Sequence, residues 1–174
     1  RSEPFHRPLA AALSLQACPA ELRLLREASS TPARDWSPVT LPPGSALRLP
    51  DGAILRADFE TLSSEGLASV TSGNANPSRE AYLVSPADSP PVLRVRLRLP
   101  GDKIRPLGAP GARKLKDALS DLKIPRPQRD YLPLVLAADG GEILWVPGLP
   151  PAENARLGDD SPQVIRLTYH PPPA

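Results

Sequence analysis

The sequence predicts an α+β fold rich in short strands, and three observations carry that expectation. Apolar residues alternate with polar ones at a period of two in several short runs, the signature of half-buried strands. The clearest helical spacing, Leu115, Ala118, Leu119 and Leu122, marks a single amphipathic helix in the C-terminal half. Proline is abundant, 25 of 174 residues, roughly three times the usual ~5%, which favours short elements on stiff connections over long helices. The expected organisation is an N-terminal helical piece (1–35), a strand-rich connector with an exposed loop (36–91), a C-terminal β-sandwich-like sheet domain carrying the amphipathic helix (92–170), and a tail (171–174).

Taken in order, Leu9 to Ser30 reads as helix, with Leu9, Leu13, Leu22 and Leu25 as its apolar stripe. Pro19 splits the run, and Pro19-Ala20-Glu21 is suited to opening a second helix. Cys18 reads as a small buried residue and His6 as a surface or packing residue. Thr31 to Asp35 is a linker. Asp51-Gly52 then marks a hairpin between Ala46–Leu49 and Ala53–Ala57. Leu62 to Ser78 is polar and reads as an exposed loop. Ala81 to Val84 is a short strand, and Pro86 to Pro91 a stiff linker.

The next stretch, Val92 to Asp130, is the most informative. It holds eleven Lys and Arg against four acids, whereas the whole chain carries a net charge of only +2. Such asymmetry points to a polyanionic partner. From Leu93 to Leu99 apolar and basic residues alternate, placing Arg94, Arg96 and Arg98 on one face of a strand. Same-face neighbours lie ~6.6 Å apart, comparable to the spacing of successive phosphates along a nucleic-acid strand. Pro100-Gly101-Asp102 ends the strand in a turn. Gly108-Ala109-Pro110-Gly111 opens the amphipathic helix, whose free N–H groups would suit a phosphate. Lys114 and Lys116 flank its apolar stripe, while Arg113, Asp117 and Asp121 face solvent. Ile124, Pro125 and Pro127 end it, and Arg126 and Arg129 are expected to project from a stiffened loop.

Beyond this stretch, Leu132–Ala137 and Glu142–Val146 form a hairpin about Asp139-Gly140-Gly141, with Trp145 in the core. Gln163–Tyr169 supplies a last strand with Ile165, Leu167 and Tyr169 on one face. His170, ahead of three prolines, is expected to be disordered. Aromatics make up only 4% of the chain, which disfavours base stacking on a single strand and favours backbone recognition of folded RNA.

Catalytic chemistry finds no footing in these residues. One cysteine and two distant histidines cannot supply a structural zinc site, and no phosphate-binding glycine motif is present. The stretch T-S-G-N-A-N-P-S resembles an ATP-loop motif only superficially, lacking its second glycine and its Asp. The single cysteine excludes an internal disulfide, and no apolar run is long enough to span a bilayer. A chain that begins with Arg1 and contains no methionine is expected to be part of a longer protein.

The runs P-G-D-K-I-R-P-L-G, G-A-R-K-L-K-D-A-L-S-D-L-K-I-P-R-P-Q-R-D, L-P-L-V-L and E-I-L-W-V-P-G-L together resemble the C-terminal domain of bacterial tRNA(Ile)-lysidine synthetase, from about Leu93 to Tyr169. That resemblance implies a tRNA-binding domain, with Lys103, Arg105, Arg113, Lys114, Lys116, Lys123, Arg126 and Arg129 facing RNA. Arg94, Arg96 and Arg98 join them from the strand alternation. It further implies that residues 1–35 end a preceding helical tRNA-binding domain. ATP and Mg, and the attachment of lysine to an anticodon cytidine of tRNA(Ile), would belong to a catalytic domain absent from this chain. The implied partners are tRNA(Ile) and that catalytic domain, in the cytoplasm, with no membrane; a homodimer is left open. A general structured-RNA-binding module and a basic protein-docking domain are the alternatives. The sequence departs from the family pattern at Lys103, where Arg is usual, at Pro127-Gln128, and at Leu157-Gly158. Lys at 103 keeps the charge but loses the bidentate fork.

Overall fold

Strands occupy the N-terminal region where the leucine spacing predicts helix. In the computed structural model, which describes residues 6–10, 13–18, 21–26, 36–72, 79–85, 92–158 and 163–172, the chain forms two units, residues 1–34 and 35–174. The first contains β1 (His6–Ala10), β2 (Leu13–Cys18) and β3 (Glu21–Arg26), an antiparallel sheet in that order. β2 and β3 pair from Leu13↔Arg26 to Cys18↔Glu21. The expected helix is therefore corrected to a meander. Its leucines satisfy a period of two as well as one of 3.6, as in L-S-L-Q-A-C. Pairing between neighbouring segments satisfies the backbone groups that a helix would satisfy within itself. The expected linker 31–35 and the linker 86–91 lie outside the described residues.

The second unit follows the predicted strands closely. β4 (Val39–Leu41) is followed by the hairpin of β5 (Ser45–Arg48) and β6 (Ile54–Thr61). Gly52 in its turn has φ +88°, a conformation open to glycine at no steric cost. The region expected to be a loop contains a helix, α1 (Ser64–Thr71), capped by the Ser63 hydroxyl accepting from the Gly66 N–H. None of its residues is buried, which is why composition alone resembled a loop. Residues 73–78, most of the stretch compared with an ATP loop, lie outside the described residues. β7 (Glu80–Val84) completes the first half.

The basic segment begins with β8 (Leu93–Leu97), then a two-residue ladder of β9 (Lys103–Ile104) and β10 (Arg113–Lys114), then α2 (Leu115–Asp121). A single helical turn, α3 (Arg126–Arg129), precedes the hairpin of β11 (Pro133–Leu136) and β12 (Ile143–Trp145). β13 (Gln163–His170) closes the fold. His170 is its last residue, paired with Ile54, so the expected disorder there is corrected. Pro133 sits at the first position of its strand, where a missing donor is tolerated.

Two four-stranded antiparallel sheets result, ordered β12-β11-β8-β4 and β5-β6-β13-β7. Both interleave strands from residues 36–91 with strands from 92–170, so the expected connector and C-terminal domain form one unit. Strand alternation sorts the side chains into two cores. Leu93, Val95, Val135 and Trp145 join Leu41, Leu55, Leu83, Ile165 and Leu167 in a cluster drawn from both sheets. Leu134, Leu136 and Ile143 point the other way and pack against Leu115, Ala118 and Leu119 of α2. Trp145 is fully buried, and its indole N–H donates to the Leu149 carbonyl at 3.0 Å. The helical stripe stops at Leu119: Leu122 is 44% exposed, and Leu99, expected on the apolar face of β8, is 52% exposed.

Leu119 has no exposed surface in the α2 core, so Leu119→Ala should cost about 2–5 kcal/mol of unfolding free energy. Urea denaturation followed by circular dichroism checks it; a loss below the cost of a surface substitution would mean that α2 is not part of this core.

Candidate nucleic-acid interface

Asp102 is the junction on which the basic surface is built. The turn after β8 places Gly101 at φ +91°, and the carboxylate of Asp102 folds back to accept from the Leu99 N–H at 2.7 Å. The same carboxylate takes both terminal nitrogens of Arg96, at 2.7 and 2.9 Å, a bidentate pair that is mostly buried. Its backbone carbonyl accepts from the Leu115 N–H at 2.8 Å, tying the start of α2 to the start of β9. Burial pushes the Asp102 carboxyl up. The Arg96 guanidinium, the Leu99 N–H and the nearby Arg98 charge outweigh that effect and hold it below the usual carboxylate range.

Of the predicted RNA-facing residues, the structure consumes several internally. Arg96 pairs with Asp102, Arg98 with Asp130, and Arg113 with Asp121. Arg129 is half-buried, its Nε donating to the Ile124 carbonyl at 2.6 Å and its Nη1 to the Ser120 hydroxyl at 2.8 Å. It braces the chain after α2 rather than projecting from a loop. The expectation that Arg96, Arg98, Arg113 and Arg129 face RNA is corrected at these positions. The acids are six to 32 residues away in sequence, so only folding brings them to their partners. The side chain of Arg126 lies outside the described residues.

What remains is Arg94, Lys103, Arg105, Lys114, Lys116 and Lys123, all exposed and without an ion pair among the described residues. This set includes all four lysines of the sequence. Lys103 and Lys114 are direct cross-strand partners in the β9–β10 ladder. Like charges in that relation repel, yet the register sets these two exposed lysines opposite each other. Arg105 follows two positions after Lys103, its Nε held by the Ala109 carbonyl at 3.0 Å. Lys116 lies on the first turn of α2. Lys123, after the helix, adopts φ +55°, uncommon for a residue with a side chain. Arg94 lies apart from these in sequence, across the β11–β12 turn; a side chain added at Gly140 would meet its guanidinium at 3.5 Å.

The phosphate site expected at the glycine turn is also corrected. β10 intervenes between Gly111 and α2, and the first helical N–H is already donated to Asp102. An open groove of about 330 Å³ runs beside the ladder, lined by Lys103 and Arg105 but also by Glu142, Glu153 and Asn154. Its carboxylates are engaged: Glu142 accepts from Asn154, and Glu153 accepts from the Gly108 N–H at 2.7 Å. The groove is balanced in charge, whereas the ladder beside it is cationic.

A different balance holds on the sheet containing β13. Arg166 bridges Glu60 at 2.9 Å and Glu80 at 2.7 Å and lies 5.8 Å from the Tyr82 ring centroid. The two carboxylates raise its pKa further above the ordinary arginine value. Neither this network nor the Asp102 junction is legible in the sequence: the first joins three strands, and the second joins a strand, a turn and a helix. The Pro-Gly-Asp turn was the one local sign that Asp102 would reach back toward β8.

Among the described residues no helix is long and apolar enough to cross a membrane. Strand pairing, core and surface thus define a small α+β domain with a lysine-rich face. The family profile for the TilS substrate C-terminal domain matches residues 93–167. A solved structure described as the TILS C-terminal domain superposes with a TM-score of 0.58 at 31% identity, over 76% of this chain and 96% of that one. The tRNA(Ile)-lysidine synthase of Geobacillus kaustophilus is 39% identical over 133 residues, covering 74% of this chain and 26% of that protein. That of Symbiobacterium thermophilum is 43% identical over 79 residues, 45% of this chain and 16% of that protein. The chain belongs to the TilS C-terminal domain family, the C-terminal region of tRNA(Ile)-lysidine synthase, and it spans only about a sixth to a quarter of the length of these relatives.

Because its folded pKa is depressed, Asp102 contributes stability that is present above the ordinary aspartate value near 4 and is lost as pH falls through the lower folded value. Asp102→Asn should therefore reduce stability at pH 7 and flatten the acid limb of the stability–pH curve. Urea midpoints measured from pH 7 down to pH 3 check this; parallel curves for the two proteins would mean that the carboxylate is not engaged.

Proposed function

We propose that this chain is the RNA-holding part of a tRNA(Ile)-lysidine synthase, gripping the tRNA backbone while a separate catalytic domain modifies the anticodon. The observation that carries this reading is the sorting of charge on the second unit. Its described arginine–acid pairs are satisfied internally, while its four lysines are left exposed together around β9, β10 and α2. An ammonium on a flexible stem is a point charge suited to phosphates of varied geometry, and exposed, unpaired cations bind nucleic acid by releasing its counterions. Such contacts position an RNA and specify little of its sequence. The names of the relatives support tRNA(Ile) as the RNA.

On this reading the catalytic domain supplies ATP and Mg chemistry, is the chain's protein partner, and acts in the cytoplasm. The present residues contribute affinity and orientation, which convert an encounter with a large substrate into a positioned reaction. The two sheets, sharing one core in the manner of a sandwich, provide the rigid mounting that such positioning needs.

Replacing Lys103, Lys114 and Lys116 together with Ala should weaken binding of a tRNA(Ile) transcript and reduce the salt slope by about two to three charges. Replacing Arg98 and Arg113 with Gln should leave that slope nearly unchanged. Filter binding or fluorescence anisotropy between 50 and 200 mM salt reads both. A slope unaltered by the lysine substitutions, in a protein with an intact circular-dichroism spectrum, would exclude this face from RNA binding and turn attention to protein docking.

A further inference from the structure

We infer that Lys103 and Lys114 form a two-ammonium clamp for one RNA phosphate, and that Arg96 and Asp102 are positioning residues that set it without touching RNA. The inference rests on the RNA-binding reading above and assigns a role within it. Lys103 directly follows Asp102, and Lys114 directly precedes Leu115. The Asp102 carbonyl accepts from the Leu115 N–H at 2.8 Å, so one hydrogen bond joins the residues adjacent to both lysines. The lysines are then exchanged partners across the ladder. Left to itself, a two-residue ladder with opposed like charges is a weak element. It is held by the bidentate grip of Arg96 on Asp102 and by the bond from the Leu99 N–H. An anion lying between the ammonium groups would relieve the repulsion that the fold maintains. The cost of bringing the lysines together is met on folding, so less is lost on binding.

This assignment overrides the plain reading of Arg96 as an RNA contact. Its side chain is 16% exposed, and both terminal nitrogens are engaged by Asp102. Asp102 itself is an acid beside a cationic face, and by charge alone it opposes RNA. That gives the two accounts opposite signs. If Asp102 is simply a nearby negative charge, Asp102→Asn should tighten RNA binding. If it positions the clamp, the same substitution should weaken binding even though the protein becomes more positive.

Binding of this chain to a tRNA(Ile) transcript, measured by anisotropy at two salt concentrations, tests the assignment. Asp102→Asn and the charge-preserving Arg96→Lys should each weaken binding about fivefold to tenfold, since each loosens a preorganised contact. In a background carrying Lys103→Ala and Lys114→Ala, Arg96→Lys should cost less than about twofold, because coupled residues are not additive. Preserving the charge at position 96 does not preserve binding on this account, which separates it from a general electrostatic effect. Should Asp102→Asn unfold the protein, Arg96→Lys alone decides, with circular dichroism verifying its fold. Tighter or unchanged binding by folded Asp102→Asn, or wild-type binding by Arg96→Lys, would overturn the clamp. Salt-dependent wild-type binding alongside that result would leave the RNA-binding reading standing; no tRNA binding by the wild-type chain would overturn both.

Discussion

β11 is the constraint on which the second unit depends. All four of its residues are buried, because its two faces serve two different cores. Antiparallel pairing with β8 sets Val135 opposite Val95 and Leu134 opposite Arg96. One face of β8 is thereby committed to the core shared with the other sheet. The second face is placed beside the layer occupied by α2. A slip of one residue in this register would exchange the faces, burying Arg94 and Arg96 and exposing Leu93 and Val95. The desolvation cost of such a slip keeps the register single-valued.

The charged surface follows from that register. Because β8 presents its arginines beside α2, the turn at Pro100-Gly101-Asp102 can bring an acid within reach of Arg96. Asp130 and Asp121 arrive at Arg98 and Arg113 from later elements. Each described ion pair of the basic segment uses arginine, whose planar fork matches a carboxylate in a fixed geometry. Among the described residues the lysines carry no such pairing. The same count of positive residues therefore divides into a structural set that fastens turns to strands and a free set available to an outside anion. Net charge describes the attraction of such a surface for RNA, while the division decides which residues can exert it.

Local and non-local signals differ accordingly in what they revealed. The hairpins about Asp51-Gly52 and Asp139-Gly140-Gly141, the strand at Leu93 and the helix at Leu115 were all legible, because turn chemistry and apolar period reside in neighbouring residues. The segment from His6 to Arg26 is ambiguous in sequence, since its leucines fit both periods and strand pairing arbitrates between them. The helix at Ser64 was missed because it is short, amply polar and exposed, and its one clear mark is the Ser63 cap. Disorder at His170 was wrong because pairing with Ile54 carries β13 to that residue.

By itself the sequence determined the concentration of positive charge between Val92 and Asp130, the strand-rich character of the chain and the family resemblance, all of which are written in adjacent or regularly spaced residues. Tertiary structure alone decided which of those charges are free. Arg96, Arg98 and Arg113 look no different in sequence from Arg94 and Arg105 until turns and sheet pairing bring carboxylates to them. The opposition of Lys103 and Lys114, eleven positions apart in the chain, likewise exists only once Asp102 closes the ladder. Charge is a property of the residue, but its availability depends on which partners the fold places within hydrogen-bonding distance.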